Sequence, residues 1–222
     1  IVNFYTKNHG KCSGIIFGGN SVLAQNFRSN FNSDSVNFIN ITRSRKNSSD
    51  IFCNTGQFLN KEEIDKLNNE INSKIISKIR FFILFSWSGG PRTKDKIQDN
   101  WAINENIVLN FLEICKKNNP SNIIFISSAG TLYPSNNEGY RFSEKDLISP
   151  RVDYGKQKLH AEKLILNFAL KNCFDYKILR LASAYGYDKR FSDQGVINKW
   201  LYTAIQDKTL KLYNSNNSVV NF

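Results

Sequence analysis

Short apolar runs alternate along the chain with segments of helical periodicity. Runs rich in Ile, Phe and Val predict buried strands, and they lie at 14–19, 36–43, 50–55, 79–88, 122–128 and 176–183. Apolar residues that recur every three or four positions predict helices at 60–74, with Asn60 as the N-cap, and at 97–117, 153–171 and 195–208. The run IRFFILFSWS at 79–88 is apolar almost throughout, as expected of a central parallel strand covered on both faces.

This alternation predicts an α/β fold with a Rossmann-type doubly wound parallel sheet. No internal repeat or low-complexity linker divides the chain. We therefore expect one Rossmann domain over residues 1–190 and the start of a small C-terminal part over 191–222. Because the sequence contains no Met and stops at SVVNF within a strand-like run, we expect that small part to be truncated.

Composition and charge narrow the class of protein. The 222 residues are 41% hydrophobic and 22% charged, as in an ordinary globular protein. No apolar stretch of about 18 residues predicts a membrane helix, and the first residues lack a signal-peptide pattern, so we expect a cytoplasmic location. The net charge of +11 favours anionic partners such as nucleotides or phosphorylated substrates. Without a basic stripe interleaved with aromatic residues, nucleic-acid binding is not expected.

The cysteines and histidines predict neither a disulfide framework nor a metal site. Four cysteines are spread along the chain without a Cys-x-x-Cys pair, which is typical of reduced thiols. His9 and His160 have no neighbouring Cys or His that could complete a zinc site.

A glycine turn follows the first strand. Gly18 and Gly19 stand between a predicted strand and a predicted helix, where backbone N–H groups and the helix N-terminus can bind a pyrophosphate. The alternative is a simple tight turn. The further glycine positions of a dinucleotide-binding turn fall on Ser21 and Ala24. Alanine still allows close helix packing, whereas a serine side chain could crowd the phosphate.

The end of the second strand indicates the choice of cofactor. A carboxylate there would bind the ribose 2′-hydroxyl of NAD, but the chain has TRSRK, with Arg43, Arg45 and Lys46. Guanidinium groups suit a 2′-phosphate, so NADP is favoured over NAD. A solvated basic loop is the other interpretation.

Two Tyr-x-x-x-Lys pairs occur, Tyr154 with Lys158 and Tyr185 with Lys189. The second follows a strand in a glycine-containing loop. The first opens a predicted helix after Pro150, with Asp153 as the predicted cap, so phenol and ammonium should share one helix face. A phenol titrates near pH ~10, and a nearby ammonium is expected to lower that pKa. Such a phenol could exchange a proton with an alcohol while hydride moves to or from a nicotinamide.

Five segments in order resemble the extended short-chain dehydrogenase/reductase family, in its NAD(P)-dependent epimerase/dehydratase branch. They are IIFGGNSVLA, NENIVLNFLEIC, IIFISSAGTLYP, YGKQKLHAEKL and ILRLASAYG. The resemblance implies that Tyr154 is the acid/base and that Lys158 tunes it and holds the nicotinamide ribose. It also implies a structural and catalytic role for Asn104. The cofactor-binding residues that it implies are Gly18, Gly19, Asn20, Ser21, Val22, Arg43, Ser86, Trp87, Tyr154 and Lys158.

The hydroxyl that should assist Tyr154 is the main departure from the family pattern. The family position falls on Ala129, so Ser128 or Thr131 must substitute, with Ser128 preferred. The Asp-Glu pair of the dehydratases is replaced by Gly130 and Thr131, which argues against dehydration. Two substrate-binding positions, an Arg and an Asn in the family, hold Val220 and Ser183.

The resemblance implies an epimerase or ketoreductase that acts on a nucleotide-activated sugar. The alternative is an NADP-binding sensor or scaffold protein on the same fold without turnover. The apolar segments ENIVLNFLEIC and AEKLILNFAL could form a four-helix homodimer interface, although the same stripes would serve as the core of a monomer.

Overall fold

The structure is a computed structural model that describes residues 12–30, 36–43, 48–91, 97–134, 140–185 and 196–209. Its strands are β1 (Cys12–Phe17), β2 (Val36–Thr42), β3 (Ile51–Phe52), β4 (Ile79–Leu84), β5 (Asn122–Ser128) and β6 (Asp175–Leu181). Its helices are α1 (Val22–Ser29), α2 (Lys61–Lys74), α3 (Ile97–Asn118), α4 (Ala129–Leu132), α5 (Asp153–Asn172) and α6 (Val196–Ile205).

All six strands are parallel and lie in the order β3-β2-β1-β4-β5-β6. This is the order of a doubly wound dinucleotide-binding sheet, so the fold class predicted from the sequence is confirmed. The order reverses between β1 and β4, the neighbours at the centre of the sheet. In such sheets ligands bind outside the carboxyl ends of the strands at this point.

Alternate strand residues face two different layers. Phe17 of β1 and Phe82 of β4 lie in the larger core cluster, where they pack with residues of α2, α3 and α5. Phe81, next to Phe82, lies in a smaller cluster on the opposite face, with Phe27 of α1 packed against it. This period of two explains why β4 is apolar at every position from Phe81 to Leu84.

Some element ends differ from the prediction. The strand predicted over 79–88 ends at Leu84, because the N–H groups of Phe85 and Ser86 both donate to the carbonyl of Phe17 instead of continuing the ladder. The apolar residues of this run do not show whether the backbone continues as a strand or leaves the ladder.

Helix caps were predicted correctly in one case and wrongly in another. Asn60 caps α2, and the side chain of Glu63 accepts from the Asn60 N–H in a reciprocal capping box. The cap of α5 is Val152, without a side-chain bond, and not Asp153. Asp153 is the first helical residue, where its negative charge still favours the helix dipole.

No helix within the described ranges combines the length and apolarity needed to cross a bilayer.

Candidate active site

Gly18 brings the turn after β1 against the end of β4. Its φ of +84° suits glycine, and a Cβ there would stand 2.5 Å from the backbone nitrogen of Ser86. The Gly18 N–H donates to the carbonyl of Ile41 at 2.9 Å, which also joins the turn to β2. Gly18 and Ser86, both predicted as cofactor-binding residues, therefore meet at the point where the strand order reverses.

The adjoining residues of the turn allow a close backbone approach. A Cβ on Gly19 would stand 2.7 Å from the side chain of Asn40, which itself donates to Asp50 at 3.2 Å. Only a glycine at this position lets β2 and the turn pack so closely. Gly19 is buried, and Asn20 follows it at the start of the loop into α1.

Ser21 caps α1, which begins at Val22. The Ser21 hydroxyl accepts from the N–H of Ala24 at 3.2 Å. This bond uses one of the amides that an anion at a helix N-terminus would otherwise meet. The glycine cradle fits a dinucleotide phosphate, and Ser21 is the feature that departs from the usual turn.

Arg43 directly follows β2 and is exposed at the carboxyl end of the sheet. That is the position from which a side chain can reach an adenosine ribose. Arg45 and Lys46 lie outside the described residues.

Tyr154 and Lys158 both lie in the first turns of α5, as predicted. Lys158 is 4% exposed, and its Nζ donates to the carbonyl of Ile126 at 2.9 Å. The same Nζ lies 3.7 Å from the ring centroid of Trp87 and 5.7 Å from that of Tyr154. Trp87, at the end of β4, therefore covers the ammonium group that the resemblance assigns to the nicotinamide ribose.

The pKa values differ from the expectation. Burial lowers the pKa of Lys158 to about 7, while the charge of Glu162 acts in the opposite direction. Burial raises the pKa of Tyr154 above its usual value, whereas the sequence argument expected the lysine to lower it. In this state desolvation sets the direction of the Tyr154 pKa shift, so the phenol keeps its proton at neutral pH.

Gly155 places the start of α5 against the segment after β5. A Cβ on Gly155 would overlap the carbonyl oxygen of Thr131 and would stand 3.0 Å from Pro150. This contact brings the two candidate hydroxyls, Ser128 and Thr131, to the end of α5 that carries Tyr154. The Oγ1 atom of Thr131 is buried without a hydrogen-bond partner among the described residues.

Ser128 is half-buried at the end of β5 and makes no cap bond to α4, the short helix that begins at Ala129. The contacts of these hydroxyls favour neither over the other, so the choice between Ser128 and Thr131 stays a prediction.

Asn104 is almost fully buried and joins three segments. Its Oδ1 accepts from the Ser88 N–H at 2.7 Å, and its Nδ2 donates to the Ser88 carbonyl at 3.0 Å and to Gln157 at 2.7 Å. These bonds fix the segment after β4 to α3 and α5. In the described structure Asn104 therefore holds the site together from α3.

The second Tyr-x-x-x-Lys pair lacks helical geometry at its tyrosine. Tyr185 is 62% exposed and follows β6 in a segment without regular structure. Lys189 lies outside the described residues.

Sequence reasoning missed four residues of the neighbouring hydrogen-bond network, Ser127, Gln157, Glu162 and Arg180. Glu162 accepts from both Ser127 and Arg180. One signal was available, because Arg180 is a charge between Leu179 and Leu181 in the apolar part of the strand YKILRLAS. No group of three or more His, Cys, Asp or Glu side chains that could hold a metal occurs in the described segments.

Solved structures with the same fold come from several enzymes. The chain is similar to UDP-N-acetylglucosamine 4-epimerase from Bacillus cereus, with 23% identity, a TM-score of 0.68, and coverage of 88% of this chain and 63% of that one. It is similar to the Thermus thermophilus UDP-glucose 4-epimerase solved in complex with NAD, with 15% identity, a TM-score of 0.67, and coverage of 78% and 56%. An L-threonine dehydrogenase from Cupriavidus necator has 14% identity, a TM-score of 0.67, and coverage of 88% and 63%.

The chain thus spans less than two thirds of the length of each of these proteins. Residues 15–222, which are nearly the whole chain, match the model of the NAD dependent epimerase/dehydratase family. The matched region includes the glycine turn, β4 with Trp87, and the Tyr154 helix. The chain therefore belongs to the NAD dependent epimerase/dehydratase family.

Proposed function

We propose that this protein is an NAD(P)-dependent epimerase or ketoreductase that acts on a nucleotide-activated sugar. The observation that carries the proposal is the position of Tyr154 and Lys158 beside Trp87 at the carboxyl end of the sheet, next to the Gly18 turn. In doubly wound sheets this edge is where a dinucleotide and its substrate bind.

The chain supplies groups for both ends of the cofactor. The amides of the turn over 18–22 would hold the pyrophosphate, and Ser86 and Trp87 would line the site at the end of β4. Arg43 would bind the adenosine ribose, with its 2′-phosphate in the case of NADP, which we favour over NAD. Bound nicotinamide would accept or return a hydride. Lys158 would bind the nicotinamide ribose after its ammonium leaves the Trp87 ring.

The proton would be moved by Tyr154. Because burial raises its pKa, the phenol is protonated at neutral pH and is suited to donate to a developing alkoxide. Removal of a proton from a hydroxyl requires the charged form of Lys158 close to the phenolate. Ser128 or Thr131 would hydrogen-bond the reacting oxygen, and Asn104 would keep the segment after β4 in place.

The substrate class is proposed from two kinds of observation. The net charge of +11 suits a diphosphate, and two of the similar structures are UDP-sugar 4-epimerases by name. Gly130 and Thr131 offer no carboxylate, which argues against dehydration.

We further propose a cytoplasmic protein with a Rossmann domain over 1–190 and a substrate-binding part that begins over 191–222. We also propose a homodimer through α3 and α5, because Leu109 of α3 and Leu170 of α5 are exposed.

Replacement of Tyr154 tests the mechanism. Tyr154→Phe removes the hydroxyl but keeps the ring that packs against Trp87, so NADPH binding should stay within about twofold. Turnover of a nucleotide ketosugar should fall by roughly 10²–10⁴-fold, the contribution typical of a positioned acid/base. The matched control is Tyr185→Phe, the tyrosine of the other pair, which should keep full activity. Equal turnover by Tyr154→Phe and the parent protein would refute this mechanism.

A second function, NADP binding without turnover, is favoured by one observation. Lys158 is covered by Trp87 and bonded to the Ile126 carbonyl, and the family hydroxyl position holds Ala129. Fluorescence titration with NADPH, run beside turnover assays on a panel of nucleotide sugars, separates the two functions. Tight binding without oxidation of NADPH by any sugar in the panel would support a sensor or scaffold.

A further inference from the structure

A partly buried ion pair joins α5 to β6 one helical turn after Lys158. Glu162 is 4% exposed, and its carboxylate accepts three hydrogen bonds from the guanidinium of Arg180. The Arg180 Nη2 to Glu162 Oε2 distance is 2.8 Å, and the Nε to Oε1 distance is 3.1 Å. This forked geometry fixes both the direction and the distance of the two side chains.

The same two side chains hold the segment that follows β5. Ser127 donates to Glu162 Oε1 at 2.5 Å, and Arg180 Nη1 donates to the Tyr133 hydroxyl at 2.8 Å. The segment 128–132 lies between these two contacts and carries both hydroxyls that could assist the tyrosine. One ion pair therefore holds both ends of that segment.

Lys158 is attached to the same strand end. Its Nζ donates to the carbonyl of Ile126, while Glu162 accepts from the hydroxyl of the next residue, Ser127. Two opposite charges, four residues apart on α5, thus bind consecutive residues of β5. Residues at this spacing are neighbours on the helix surface, so their charges interact.

We propose that Glu162 and Arg180 are positioning residues of this site: Glu162 favours the charged form of Lys158, and the Glu162–Arg180 pair keeps the segment 128–132 against α5. The inference deepens the proposed function and rests on it, because it presumes that Tyr154 and Lys158 are the reacting pair. Neither Glu162 nor Arg180 needs to touch the substrate.

The charge of Glu162 is what opposes the burial of Lys158. A buried ammonium loses its hydration, which favours the neutral amine, and a carboxylate nearby favours the charged form. Both effects act on the Lys158 pKa in these directions. Without Glu162, burial would act unopposed by any carboxylate of this network.

Among the residues that the structure describes, the other ionisable groups of this site come from three elements. They are Tyr154 on α5, Tyr133 in the segment after β5, and Arg180 on β6, whose charge Glu162 matches directly. From the described parts of the segments that follow β4 and from β5, the rings of Trp87 and Phe125 and the carbonyl of Ile126 face the ammonium. The pH dependence of this site therefore centres on Lys158.

The test is a direct titration of the Lys158 amine by ¹³C–¹⁵N NMR, in the chain without added cofactor. The resonance is identified by its loss in Lys158→Met. Glu162→Gln keeps the side-chain shape and an acceptor for Ser127 but removes the charge. Its Lys158 midpoint should fall by about one pH unit or more, at least a tenfold loss of proton affinity. Glu162→Asp keeps the charge and should stay within about half a unit of the parent protein.

Three further variants separate charge from general stability. Glu162→Gln leaves the half-buried Arg180 without its carboxylate partner and can unfold, so Glu162→Gln with Arg180→Met removes both charges. Because the double variant also lacks the positive charge of Arg180, it is compared with Arg180→Met, which keeps Glu162. The double variant should fold, and its Lys158 midpoint should lie below that of Arg180→Met by about one pH unit or more. Glu105→Gln is the matched control. Glu105, on α3, lies 3.2 Å from the ring of His160, which is on the same helix as Lys158, but it is not part of the Lys158 network. Its midpoint should equal that of the parent.

A Lys158 midpoint in the folded double variant equal to that of Arg180→Met would overturn the proposal. So would a midpoint in Glu105→Gln that falls as far as in Glu162→Gln, since the effect would then not be specific to Glu162. The proposed function fails separately, if the parent protein binds no NAD(P) and turns over no substrate, and the titration does not depend on either result.

Discussion

The side chain of Lys158 lies at the centre of the candidate site and is almost excluded from water. An exposed lysine titrates near ~10.4, whereas burial lowers the Lys158 pKa to about 7. Trp87 and Phe125 line the ammonium with aromatic faces, which offset part of the lost hydration through cation–π contacts. A charge held at the edge of ionisation can change with small movements of its neighbours.

The stability of the protein should therefore depend on pH through Lys158. Below about pH 7 the folded and unfolded chains both hold this proton. Between about 7 and the value of an exposed lysine, only the unfolded chain keeps it. The unfolding free energy should thus rise with pH in this window, by up to about 1.4 kcal/mol per unit.

Urea unfolding at pH 7, 8 and 9 measures this dependence as the difference in unfolding free energy between the parent protein and Lys158→Met. The difference should move by roughly 2 kcal/mol in favour of the parent across the series. Lys156→Met is the control, because Lys156 is exposed beside Asp153 and should give a constant difference. A constant difference for Lys158→Met as well would show that this lysine is not desolvated in the folded chain.

Arg43 should determine the choice between the two cofactors. It directly follows β2 and is exposed where an adenosine ribose would bind. Arg43→Asp replaces a donor for a 2′-phosphate with an acceptor for a 2′-hydroxyl, so the preference for NADPH over NADH should fall at least tenfold. Fluorescence titration with both cofactors measures the ratio. Arg151→Asp, an exposed arginine before α5, should leave the ratio unchanged. Equal ratios in Arg43→Asp and the parent would exclude Arg43 from the cofactor site.

At the scale of elements, α5 is placed by its contact with the segment after β5. Gly155 allows this contact, since any side chain there would overlap the Thr131 carbonyl. The strand end and the helix start are then joined again by Lys158 with Ile126 and by Glu162 with Ser127. The relative position of the tyrosine and the hydroxyls therefore depends on one glycine and two polar contacts.

Gly155→Ala should weaken this junction. The added methyl group must displace either the Thr131 carbonyl or the helix, at a cost of about 1–3 kcal/mol. For a chain of this size the melting temperature should fall by roughly 3–10 °C. Gly130→Ala is the matched control, because a Cβ there meets no described atom within 4 Å. Similar melting temperatures for both variants would contradict the close contact at Gly155.

The elements themselves could be predicted from the sequence because their apolar periods differ. Runs such as NIIFISS and IRFFILF predict strands, and the order of strands and helices restricts the sheet to a few topologies. The cap of α5 was predicted wrongly, because Val152 and Asp153 are both compatible with a helix start. The four residues of α4 are too few to show a period.

The contacts that complete the site could not be predicted in the same way. Glu162 and Arg180 are 18 positions apart. In the helical segment AEKL, Glu162 has the pattern of a solvent-exposed charge, and nothing in the sequence pairs it with Arg180. The position of the Trp87 ring over Lys158 depends on where β4 ends, and the apolar run does not predict the last residue of that strand. The raised pKa of Tyr154 likewise follows from burial, which is a property of the packed molecule.

At the scale of the whole molecule, the glycine turn links cofactor binding to the stability of the sheet. The turn joins the ends of β1, β2 and β4, through the Gly18 N–H and the contact of Gly18 with Ser86. A ligand that binds only this folded arrangement stabilises the whole chain in proportion to the logarithm of its concentration.

NADPH should therefore raise the melting temperature of the parent protein. At a hundred times its dissociation constant the expected gain is about 2.7 kcal/mol, or roughly 5–10 °C for a chain of this size. Gly18→Ala places a Cβ against the backbone of Ser86 at a φ of +84°, so the variant should melt lower and gain little from NADPH. Gly130→Ala should keep the full gain, because its added methyl group lies away from the turn. Differential scanning fluorimetry over a series of NADPH concentrations measures all three. An equal gain in Gly18→Ala and Gly130→Ala would mean that the dinucleotide binds elsewhere, since no pyrophosphate could rest on a turn that had been forced away from β4.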